Sequence, residues 1–394
     1  MPKPDTFHCT GCGSRKLSEP LRIDNQPVIL NYRFQTPEES AAVPLRSIEL
    51  RQCWECGLVF NAAFENGIVP YDSAYENRQS HSAAFARHTM QVAKMIGAMM
   101  ENERPRILEV GCGKGQFLRQ VAGYCQGEGT GYDTSYEGPE KEGNVTFKTE
   151  YLTADAVRGS FDAVICRHVV EHVPGIGAFL CELAEIARAC GQPFVVVETP
   201  RLEWILEHKS SWDIFYEHCN YFTENALRGL CLRAGFYVLG QYPVFHRQYQ
   251  LLVLSLAQGS QPHSREPLAE HGACKDPIWQ LESIHSSSIS KLVALTEARR
   301  GLGKWAIWGA GAKGVCLANR LPKRHLARLI DTNPAKQGFH VPGTDISICA
   351  PTRETLKDLG LILIANPSYE EEIRAELAHL GYTGNVLVLS ESLL

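Results

Sequence analysis

Residues 106–115 constrain the fold of this chain more than any other stretch. An apolar run of strand length, Ile107 to Val110, leads into glycines at positions 111, 113 and 115, and a helical pattern starts at Gln116. Glycine adopts backbone angles that other residues avoid, and it lets the main chain approach a ligand closely. The pattern therefore predicts a nucleotide-binding α/β sheet, although the turn alone is weakly specific because dinucleotide enzymes share it.

The residues that follow predict further strands of the same sheet. Strands are expected at Gly129–Tyr132, Phe161–Cys166 and Phe194–Glu198, with closing strands within Val238–Ala257. Asp133 ends the first of these strands, where a carboxylate can bind both ribose hydroxyls of a nucleoside. Half of a Rossmann-like dehydrogenase is the alternative interpretation of this pattern.

The glycine turn and the segment after the strand at Phe161–Cys166 resemble those of class I S-adenosyl-L-methionine (SAM) methyltransferases. The turn matches their motif I, in which the backbone passes under the methionine part of SAM. Arg167–Pro174 is similar to their often Glu-His-rich segment, and it lacks the Asn/Asp-Pro-Pro-Tyr/Phe motif of DNA and RNA amino-methyltransferases. The resemblance implies SAM as the cofactor, bound by Glu109, Gly111, Gly113, Gly115, Asp133, Glu150 and His168.

Two Cys-x-x-Cys-Gly knuckles lie near the start of the chain, at Cys9–Gly13 and Cys53–Gly57. The glycine of each knuckle permits a tight turn that places two thiolates on one side of a metal. Two such knuckles make a tetrahedral four-sulfur site, which structural zinc (Zn2+) prefers. We expect zinc on Cys9, Cys12, Cys53 and Cys56 with a hairpin inserted between the knuckles; iron or disulfides are the alternatives.

Two loops carry the remaining polar residues of the predicted methyltransferase region. Pro70–Ser82 is polar and aromatic and precedes a helical pattern over 83–101, so it is either an arch over an active site or a solvated linker. Glu217 and His218 lie between the strand at Phe194–Glu198 and a helix that Thr223 is expected to cap. That loop belongs to the ligand-binding edge of an open α/β sheet.

The last third of the chain predicts a second, smaller Rossmann-like layer. Helical periodicity over Ile278–Arg300 precedes a strand and glycine turn at Lys304–Gly314, and a strand at Leu326–Ile330 ends at Asp331. Residues 258–274 are broken by proline, glycine and serine, as a linker is. The predicted domains are a zinc-binding domain (1–82), a SAM-dependent methyltransferase domain (83–257) and a C-terminal Rossmann-like domain (258–394).

Composition excludes several classes of function. The 394 residues suggest two or three domains, and the net charge of −5 provides no strong field for nucleic acid. The N-terminal region has no signal-peptide pattern, and no apolar stretch approaches the ~20 residues of a membrane span. We expect a cytoplasmic enzyme, monomeric and without membrane or nucleic-acid partners. Single cysteines at 112, 125, 166, 181, 190, 219 and 231 are interpreted as small apolar core residues.

The order of these parts resembles the C-methyltransferases that act on nucleotide-activated keto-deoxyhexoses. Those enzymes have a four-cysteine zinc domain, a SAM domain and a C-terminal Rossmann-like domain. The matching positions are the four cysteines, Glu109–Gly115, His172–Pro174, Glu217-His218 with Phe222, Gly309–Lys313 and Asp331–Gln337. The chain departs from the family at Phe215, often Tyr there, and at His246–Gln248, where the family often has His-Gly-Gly with a following Arg.

The resemblance implies that a base removes a proton beside a ketone and that the resulting enolate attacks the SAM methyl group. It implies His218 as the base, Glu217 as a residue that tunes or orients, His172 near the enolate oxygen, and Tyr75 as an acid or phosphate contact. The substrate would be a nucleotide-linked sugar, bound by Gly309, Gly311, Lys313, Asp331 and His246.

Three other functions remain as alternatives at this point. The same fold can methylate oxygen or nitrogen of a sugar or another small metabolite, which needs no enolate. The C-terminal domain can instead be an NAD-sensing binding module, although we expect no productive NAD binding there. An RNA methyltransferase with a zinc anchor is disfavoured by the acidic balance of the chain.

Overall fold

The computed structural model describes residues 7–72, 74–76, 78, 81–256 and 276–389. The predicted linker over 258–274 and the domain boundary at 257 lie outside these residues, so the domain boundaries stay a prediction. None of the helices within the described ranges is long and apolar enough to cross a membrane.

The residues between the two cysteine knuckles form the expected hairpin. Strands β1 (Leu21–Pro27) and β2 (Leu45–Gln52) pair antiparallel, and β3 (Val59–Asn61) extends the sheet beside β2. Helix α1 (Pro37–Ala41) lies between β1 and β2 and begins at Thr36, whose side chain and that of the third helical residue form a capping box.

A mixed sheet of eight strands forms the centre of the protein. Its helices are α2 (Ala83–Ala98), α3 (Gln116–Tyr124), α4 (Ile176–Ala189), α5 (Leu202–Glu207) and α6 (Glu224–Arg233). The strands of this part of the chain are β4 (Arg106–Val110), β5 (Glu128–Tyr132), β6 (Lys141–Glu142), β7 (Val145–Lys148), β8 (Ala163–Arg167), β9 (Phe194–Pro200), β10 (Asn220–Tyr221), β11 (Phe236–Val244) and β12 (Tyr249–Leu256).

The order of strands in this sheet is β11-β12-β9-β8-β4-β5-β7-β6. Strands β9, β8, β4, β5 and β7 are parallel, and β12, β11 and β6 join antiparallel. Strand β8 is buried at all five of its positions, as expected of a parallel strand that is covered on both faces of its sheet. The chain order reverses at β4, so the glycine turn after β4 lies at the switch point where such sheets bind ligands.

The C-terminal region forms a five-stranded parallel sheet, ordered β15-β14-β13-β16-β17. Its strands are β13 (Lys304–Trp308), β14 (Leu326–Ile330), β15 (Ile348–Cys349), β16 (Leu359–Ile364) and β17 (Asn385–Val388). Its helices are α7 (Pro277–Ala298), α8 (Ala312–Arg320), α9 (Arg353–Leu356) and α10 (Glu370–His379).

Residues of the central part of the chain belong to the sheet or the core of its two neighbours. Strand β10, two residues after His218, pairs with β3 and so belongs to the N-terminal sheet. The Trp212 indole N–H donates to the carbonyl of Ala365 at 3.2 Å, and Trp212 packs in the core of the C-terminal sheet. The loop that carries His218 is therefore held by both neighbouring parts.

The single cysteines follow the sequence interpretation with one exception. Cys112, Cys166, Cys190, Cys219 and Cys231 are buried and Cys125 is half-buried. Cys181 is exposed on α4, so its interpretation as a core residue is wrong. All the cysteines within the described ranges are free thiols.

Candidate functional site

A cavity of about 440 Å³ lies beside the carboxyl ends of parallel strands from the central sheet and from the C-terminal sheet. Its wall includes the segments that follow β8, β9, β13, β14 and β16, the edge at which open α/β sheets bind ligands. Of the residues predicted from the sequence, it contains Tyr75, His168, His172, Glu217, His218, Gly309, Gly311, Lys313 and Asp331. It does not contain Glu109, Gly111, Gly113, Gly115, Asp133, Glu150 or His246.

Glu217 is fully buried, and its carboxylate faces the N-terminal part of the chain. Oε1 accepts from the backbone N–H groups of Leu30 at 2.6 Å and Asn31 at 3.3 Å. Oε2 accepts from the Tyr75 hydroxyl at 2.7 Å and the Asn31 amide at 3.2 Å. Burial and then the Glu217 charge raise the pKa of Tyr75 well above its usual range, so Tyr75 is a neutral donor.

His172 is oriented by the backbone of the His218 loop. Its Nδ1 lies 2.9 Å from the carbonyl oxygen of Glu217 and 3.0 Å from the hydroxyl of Tyr71. Since a carbonyl only accepts, Nδ1 carries the proton in this arrangement and donates to Glu217. Nε2 of neutral His172 is then a proton acceptor, and it donates a hydrogen bond only when the imidazole is protonated.

His218 lies against His172 in the same wall of the cavity. The two imidazole rings are 4.7 Å apart and nearly perpendicular, and the Phe215 ring packs on His218 at 4.1 Å. Burial, and then the positive charge that His172 can carry, hold the pKa of His218 well below its usual value. His218 is therefore unprotonated near neutral pH, the state that a proton acceptor needs.

Glu171 is a buried carboxylate beside these imidazoles that the sequence analysis did not select. Its Oε1 lies 3.3 Å from His168 Nδ1, and its Oε2 accepts from the Thr199 hydroxyl at 2.9 Å. One donor atom each of Glu171, His172 and His218 lie within 4.8 Å of one another. Burial by itself raises the pKa of Glu171, but the hydrogen bond from His168 and the charges of the histidines lower it to about 2.

A second buried carboxylate, Glu198, lies on the other side of His168. Its oxygens contact His88 Nε2 at 2.6 Å, Arg167 Nε at 2.6 Å and His168 Nε2 at 3.6 Å. Burial alone lowers the pKa of His168, but Glu171 and Glu198 together raise it to about 9. His168 is thus a half-buried cation between two carboxylates, with a left-handed backbone of φ +53°.

The first glycine turn has the geometry expected of a cofactor-binding turn. Gly111, Gly113 and Gly115 have φ values of +72°, +52° and +76°. The Gly113 N–H donates to one oxygen of Asp133 at 2.8 Å, and the Ser135 N–H and hydroxyl donate to the other oxygen at 2.7 and 2.6 Å. Asp133 is thereby fixed at the end of β5 and keeps lone pairs for further donors.

The three glycines differ in what surrounds them. A Cβ added at Gly111 would lie 2.3 Å from Val169, and one at Gly115 would lie 2.3 Å from Phe147. A Cβ at Gly113 would meet nothing within 4 Å. Gly113 therefore borders open space beside the turn, whereas Gly111 and Gly115 are needed for packing.

Glu109 and Glu150, the two remaining predicted cofactor residues, lie in opposite environments. Glu109 is buried, and burial raises the pKa of its carboxyl to about 8. Its Oε2 is buried without a hydrogen-bond partner among the described residues. Glu150 is exposed in the segment after β7.

The second glycine turn repeats the arrangement of the first. The Ala310 N–H donates to one oxygen of Asp331 at 2.7 Å, and the Asn333 N–H donates to the other at 2.8 Å. Gly309 has a φ of +105°, and Gly311 precedes α8. The first N–H groups of a helix have no partner within it, so the start of α8 is suited to an anionic group.

Lys313 is paired within the protein. Its Nζ lies 2.8 Å from the Asp213 carboxylate and 4.0 Å from the centre of the Trp204 ring. Burial lowers the pKa of Lys313, and the charge of Asp213 opposes this effect. Any contact between Lys313 and a phosphate has to be shared with Asp213.

The motif after β14 connects the C-terminal domain to the N-terminal part. The Asn333 amide donates to Glu76 at 3.1 Å, and Lys336 Nζ donates to the Asn31 side-chain oxygen at 3.2 Å and the Ala310 carbonyl at 3.0 Å. Since Asn31 also binds Glu217, this motif fixes the three parts of the chain around one cavity.

His246 lies outside the cavity, in a tight turn between β11 and β12. Phe245, His246 and Arg247 have φ values of +47°, +54° and +65°, a strained conformation for residues with side chains. The turn places Gln248 in the cavity wall, and Asn366 of the C-terminal sheet donates to its side chain at 3.2 Å. Gln248, rather than His246, reaches the site from this turn.

The four predicted metal ligands converge near the surface of the N-terminal part. Sγ of Cys9 lies 3.5 Å from that of Cys56, and Sγ of Cys12 lies 3.6 Å from that of Cys53. Four sulfurs bound to one zinc at ~2.3 Å are about 3.8 Å apart, so the thiols fit a tetrahedral zinc. All four ligand atoms lie within 4.8 Å of one another.

Two protein-family models match different parts of the chain. A family model described as "Methyltransferase domain" matches residues 81–241, which contain the first glycine turn and Asp133. The chain is a SAM-dependent methyltransferase. A second model, "C-methyltransferase C-terminal domain", matches residues 282–390 of the enzyme. The predicted class I SAM-methyltransferase fold of the core is confirmed.

Solved structures resemble this methyltransferase over less than half of its chain. Magnesium protoporphyrin IX methyltransferase from Synechocystis PCC 6803 is 18% identical, with 44% of this chain and 86% of that chain covered and a TM-score of 0.34. The cyclopropane synthase MmaA2 from Mycobacterium tuberculosis is 10% identical, with 47% and 90% covered and a TM-score of 0.34. No curated protein matches the methyltransferase at a significant level.

Sequence reasoning missed several residues of the site, for different reasons. Glu171 belongs to the Glu-His pair that was recognised, but only its histidine was selected. Asn31 follows an apolar run and carries no motif. Lys336 lies in the recognised Asp331–Gln337 motif, whose role becomes visible only when Asn31 is placed beside it.

Proposed function

We propose that the protein transfers a methyl group from SAM to the carbon beside the ketone of a nucleotide-activated keto-deoxysugar. The observation that carries the proposal is the pair of imidazoles, His172 and His218, 4.7 Å apart in a cavity that continues to the glycine turn of the C-terminal domain. The match to a C-methyltransferase C-terminal domain supports carbon as the methylated atom.

The residues of the first glycine turn fit SAM. The open space at Gly113 leaves room for a ligand against the backbone, and Asp133 keeps lone pairs for ribose hydroxyls. The partnerless Oε2 of Glu109 adds a buried polar atom just before the turn. When bound, SAM supplies a methyl group activated by its attachment to a sulfonium.

His218 would remove the proton from the sugar carbon. A carbon becomes nucleophilic only when the neighbouring ketone can take the electron pair of the broken C–H bond as an enolate. The proton would move to the unprotonated ring of His218, and the enolate carbon would form the new bond to the methyl group as the ketone re-forms. The methyl–sulfur bond of SAM would break with its electron pair left on sulfur, and S-adenosylhomocysteine would leave. His218 finally returns the proton to solvent, which completes the balance.

His172 would stabilise the enolate oxygen. Since its Nδ1–H is engaged by the Glu217 carbonyl, only the protonated form offers Nε2–H to that oxygen. The buried Glu171 carboxylate lies within 4.8 Å of a ring nitrogen of His172. A charged donor aimed at developing negative charge is worth more than a neutral one, particularly in a site that excludes water.

The C-terminal domain would hold the nucleotide part of the substrate. The start of α8, after Gly309 and Gly311, offers backbone N–H groups to a phosphate, and Asp331 shapes that turn. A volume of about 440 Å³ is within the range of small-molecule sites. Lys313 adds a positive charge that it shares with Asp213.

The experiment that tests this function follows both proton and methyl group. The protein is incubated in D2O with a nucleoside-diphosphate keto-deoxyhexose, first with S-adenosylhomocysteine and then with SAM. We expect deuterium at the carbon beside the ketone in the first reaction and a new carbon–methyl bond, seen by NMR, in the second. Methylation of oxygen or nitrogen without exchange would establish the alternative function, and no methylation of the sugar would exclude this substrate class.

We also propose that Cys9, Cys12, Cys53 and Cys56 hold a structural zinc ion. The convergence of the four thiols within 4.8 Å supports this site. Leu30 and Asn31 follow β1, and β3 pairs with β10, so the ion would indirectly stabilise the His218 loop. It would take no part in the reaction.

A further inference from the structure

Proton abstraction by His218 creates a charge that the site has to balance. The imidazolium forms in a half-buried position in the cavity wall, next to His172. Burial and a neighbouring cation both disfavour a second positive charge. A carboxylate near the ring is needed for the base to accept the proton, and two carboxylates, Glu217 and Glu171, are candidates.

Glu217 is the neighbour of His218 in the sequence, but its carboxylate is directed elsewhere. It accepts hydrogen bonds from Leu30, Asn31 and Tyr75, four in all, and is completely buried among them. Its backbone carbonyl, not its carboxylate, contacts His172. The Glu217 carboxylate is thus occupied by hydrogen-bond donors of the N-terminal part of the chain.

Glu171 has the position that Glu217 lacks. A carboxylate oxygen of Glu171 lies within 4.8 Å of ring nitrogens of both His172 and His218. Each of its oxygens makes one hydrogen bond, to His168 or Thr199, so lone pairs remain on both. These two bonds keep the group ionised and fix its direction.

Hydrogen bonds to the backbone fix the segment around Glu171 relative to the loop that carries His218. The Cys219 N–H donates to the Glu171 carbonyl at 2.9 Å. The Asn220 amide donates to the carbonyls of Val170 at 3.0 Å and Val173 at 2.7 Å. These bonds join the segment after β8 directly to the residues that follow His218, so they fix the backbone of Glu171 relative to that of His218.

We infer that Glu171, and not Glu217, is the positioning residue whose charge stabilises the protonated form of His218. This inference rests on the proposed function, in which His218 accepts the proton. Other groups near His218 modify the effect and have to be considered in its pH dependence. They are His168 and His172 after β8, Asp213, Glu217 and Tyr221 in the loop of His218, Tyr71 and Tyr75 of the N-terminal part, and Lys313 of α8.

The test compares Glu171→Gln with Glu217→Gln in the dependence of kcat/KM and of solvent deuterium exchange on pH. Loss of a negative charge beside His218 lowers its pKa, so the acid limb of the Glu171→Gln profile moves to lower pH. Because the base is then weaker, the plateau rate falls, by about tenfold or more. The Glu217→Gln profile keeps its acid limb at the wild-type pH, although its plateau can fall.

A charge-conserving variant separates this effect from a loss of structure. Glu171→Asp retains the carboxylate, so its acid limb stays at the wild-type pH while the rate falls through altered distance. SAM affinity, measured by calorimetry, stays at the wild-type value in all three variants. If Glu171→Gln does not fold, Glu217→Gln and Glu171→Asp decide. The inference requires that the acid limb of both pH profiles stays at the wild-type pH.

Two outcomes overturn the inference without affecting the proposed function. One is a Glu171→Gln profile that coincides with that of the wild type; the other is a displaced limb in Glu217→Gln. In both, the wild-type enzyme still exchanges and methylates the keto-sugar. A wild-type enzyme that does neither contradicts the proposed function itself, and with it this inference.

Discussion

The Tyr75 hydroxyl donates a hydrogen bond of 2.7 Å to the Glu217 carboxylate. Tyr75 belongs to the segment that follows the N-terminal sheet, and Glu217 belongs to the loop of the proposed base. Both residues are buried, and Asn31 contacts both of them. Tyr75 and Ser82 line the cavity, which favours the first of the two interpretations that the composition of 70–82 allowed. We therefore expect Tyr75 to act on the substrate through Glu217 rather than as a proton acceptor.

Replacement of Tyr75 by Phe should reduce methyl transfer but preserve deuterium exchange into the substrate. The substitution removes one of four donors to a buried carboxylate, which costs about 1–3 kcal/mol of unfolding free energy. Urea unfolding measures the change in unfolding free energy, and incubation with the substrate in D2O measures deuterium exchange. Tyr32→Phe is the matched control, because that hydroxyl binds Asp72 in an exposed pair and should cost less. Complete loss of exchange in Tyr75→Phe would assign the base to Tyr75 instead.

SAM binding should depend on the open space beside Gly113. An alanine there meets no protein atom within 4 Å, but its methyl group would occupy the space that we assign to the ligand. We expect Gly113→Ala to weaken SAM binding by tenfold or more, with part of the effect from the positive φ, which costs about 1–2 kcal/mol. Gly123→Ala on α3, which also meets nothing within 4 Å, is the control. Equal SAM affinities in calorimetry would place the cofactor elsewhere.

The same positions show why Gly111 is a poorer test of the cofactor site. A side chain at Gly111 would clash with Val169 at 2.3 Å, so a bulky residue there disturbs the turn whether or not a ligand is present. Asp133→Ala avoids this problem, although it also releases the Gly113 and Ser135 donors. Loss of SAM affinity in both Gly113→Ala and Asp133→Ala is the expected result.

One zinc ion per chain should be found by elemental analysis, and its removal should destabilise the N-terminal part. Cys53→Ser removes one of four thiolates, whose binding free energy contributes directly to folding. The variant should lose the metal and unfold at a lower temperature, whereas Cys181→Ser, at an exposed single thiol, should behave as the wild type. A metal-free wild type of normal stability, or a fully stable Cys53→Ser, would disprove the zinc site.

Lys313 can serve the substrate or merely neutralise Asp213, and a double-mutant cycle distinguishes the two roles. If Lys313 binds a phosphate, Lys313→Ala should weaken binding of the nucleoside-diphosphate sugar about tenfold to a hundredfold, from the ~1.5–3 kcal/mol of a charged hydrogen bond. Asp213→Ala added to Lys313→Ala should then not restore affinity. Restoration would show that only the pairing mattered. SAM affinity is expected to stay unchanged in both variants, and Lys323→Ala, at an exposed lysine, serves as the control.

The core of this fold was accessible from the sequence because its signals are local. The strand, glycine turn and helix around Gly111 and Gly309, and the acid at the end of the next strand, follow from the periodicity of apolar residues and from backbone angles. Both turns are found with the expected acid, Asp133 or Asp331, bound to the backbone of the turn. The convergence of the cysteines follows equally from the short spacing within each knuckle.

The arrangement inside the cavity was not accessible in the same way, because it depends on contacts between distant segments. The direction of the Glu217 carboxylate is set by Leu30 and Asn31, which no pattern in the sequence connects to it. The position of His246 outside the cavity depends on three consecutive residues with left-handed backbone angles, none of which is glycine. Local propensity contains neither fact, and only the packed structure decides which side chain of a motif reaches the site.

His218→Ala should stop both methyl transfer and deuterium exchange into the keto-sugar while SAM still binds. The loss should be about 10²–10⁴-fold, the usual contribution of a positioned acid or base. His379→Ala, at an exposed histidine on α10, is the control and should leave both rates unchanged. Glu217→Gln should slow the reaction less than His218→Ala, because the amide still occupies the space of the carboxylate. If exchange persists in His218→Ala, the proton acceptor is a different residue. His172 is then the first candidate, since its Nδ1–H bond to the Glu217 carbonyl leaves Nε2 able to accept a proton.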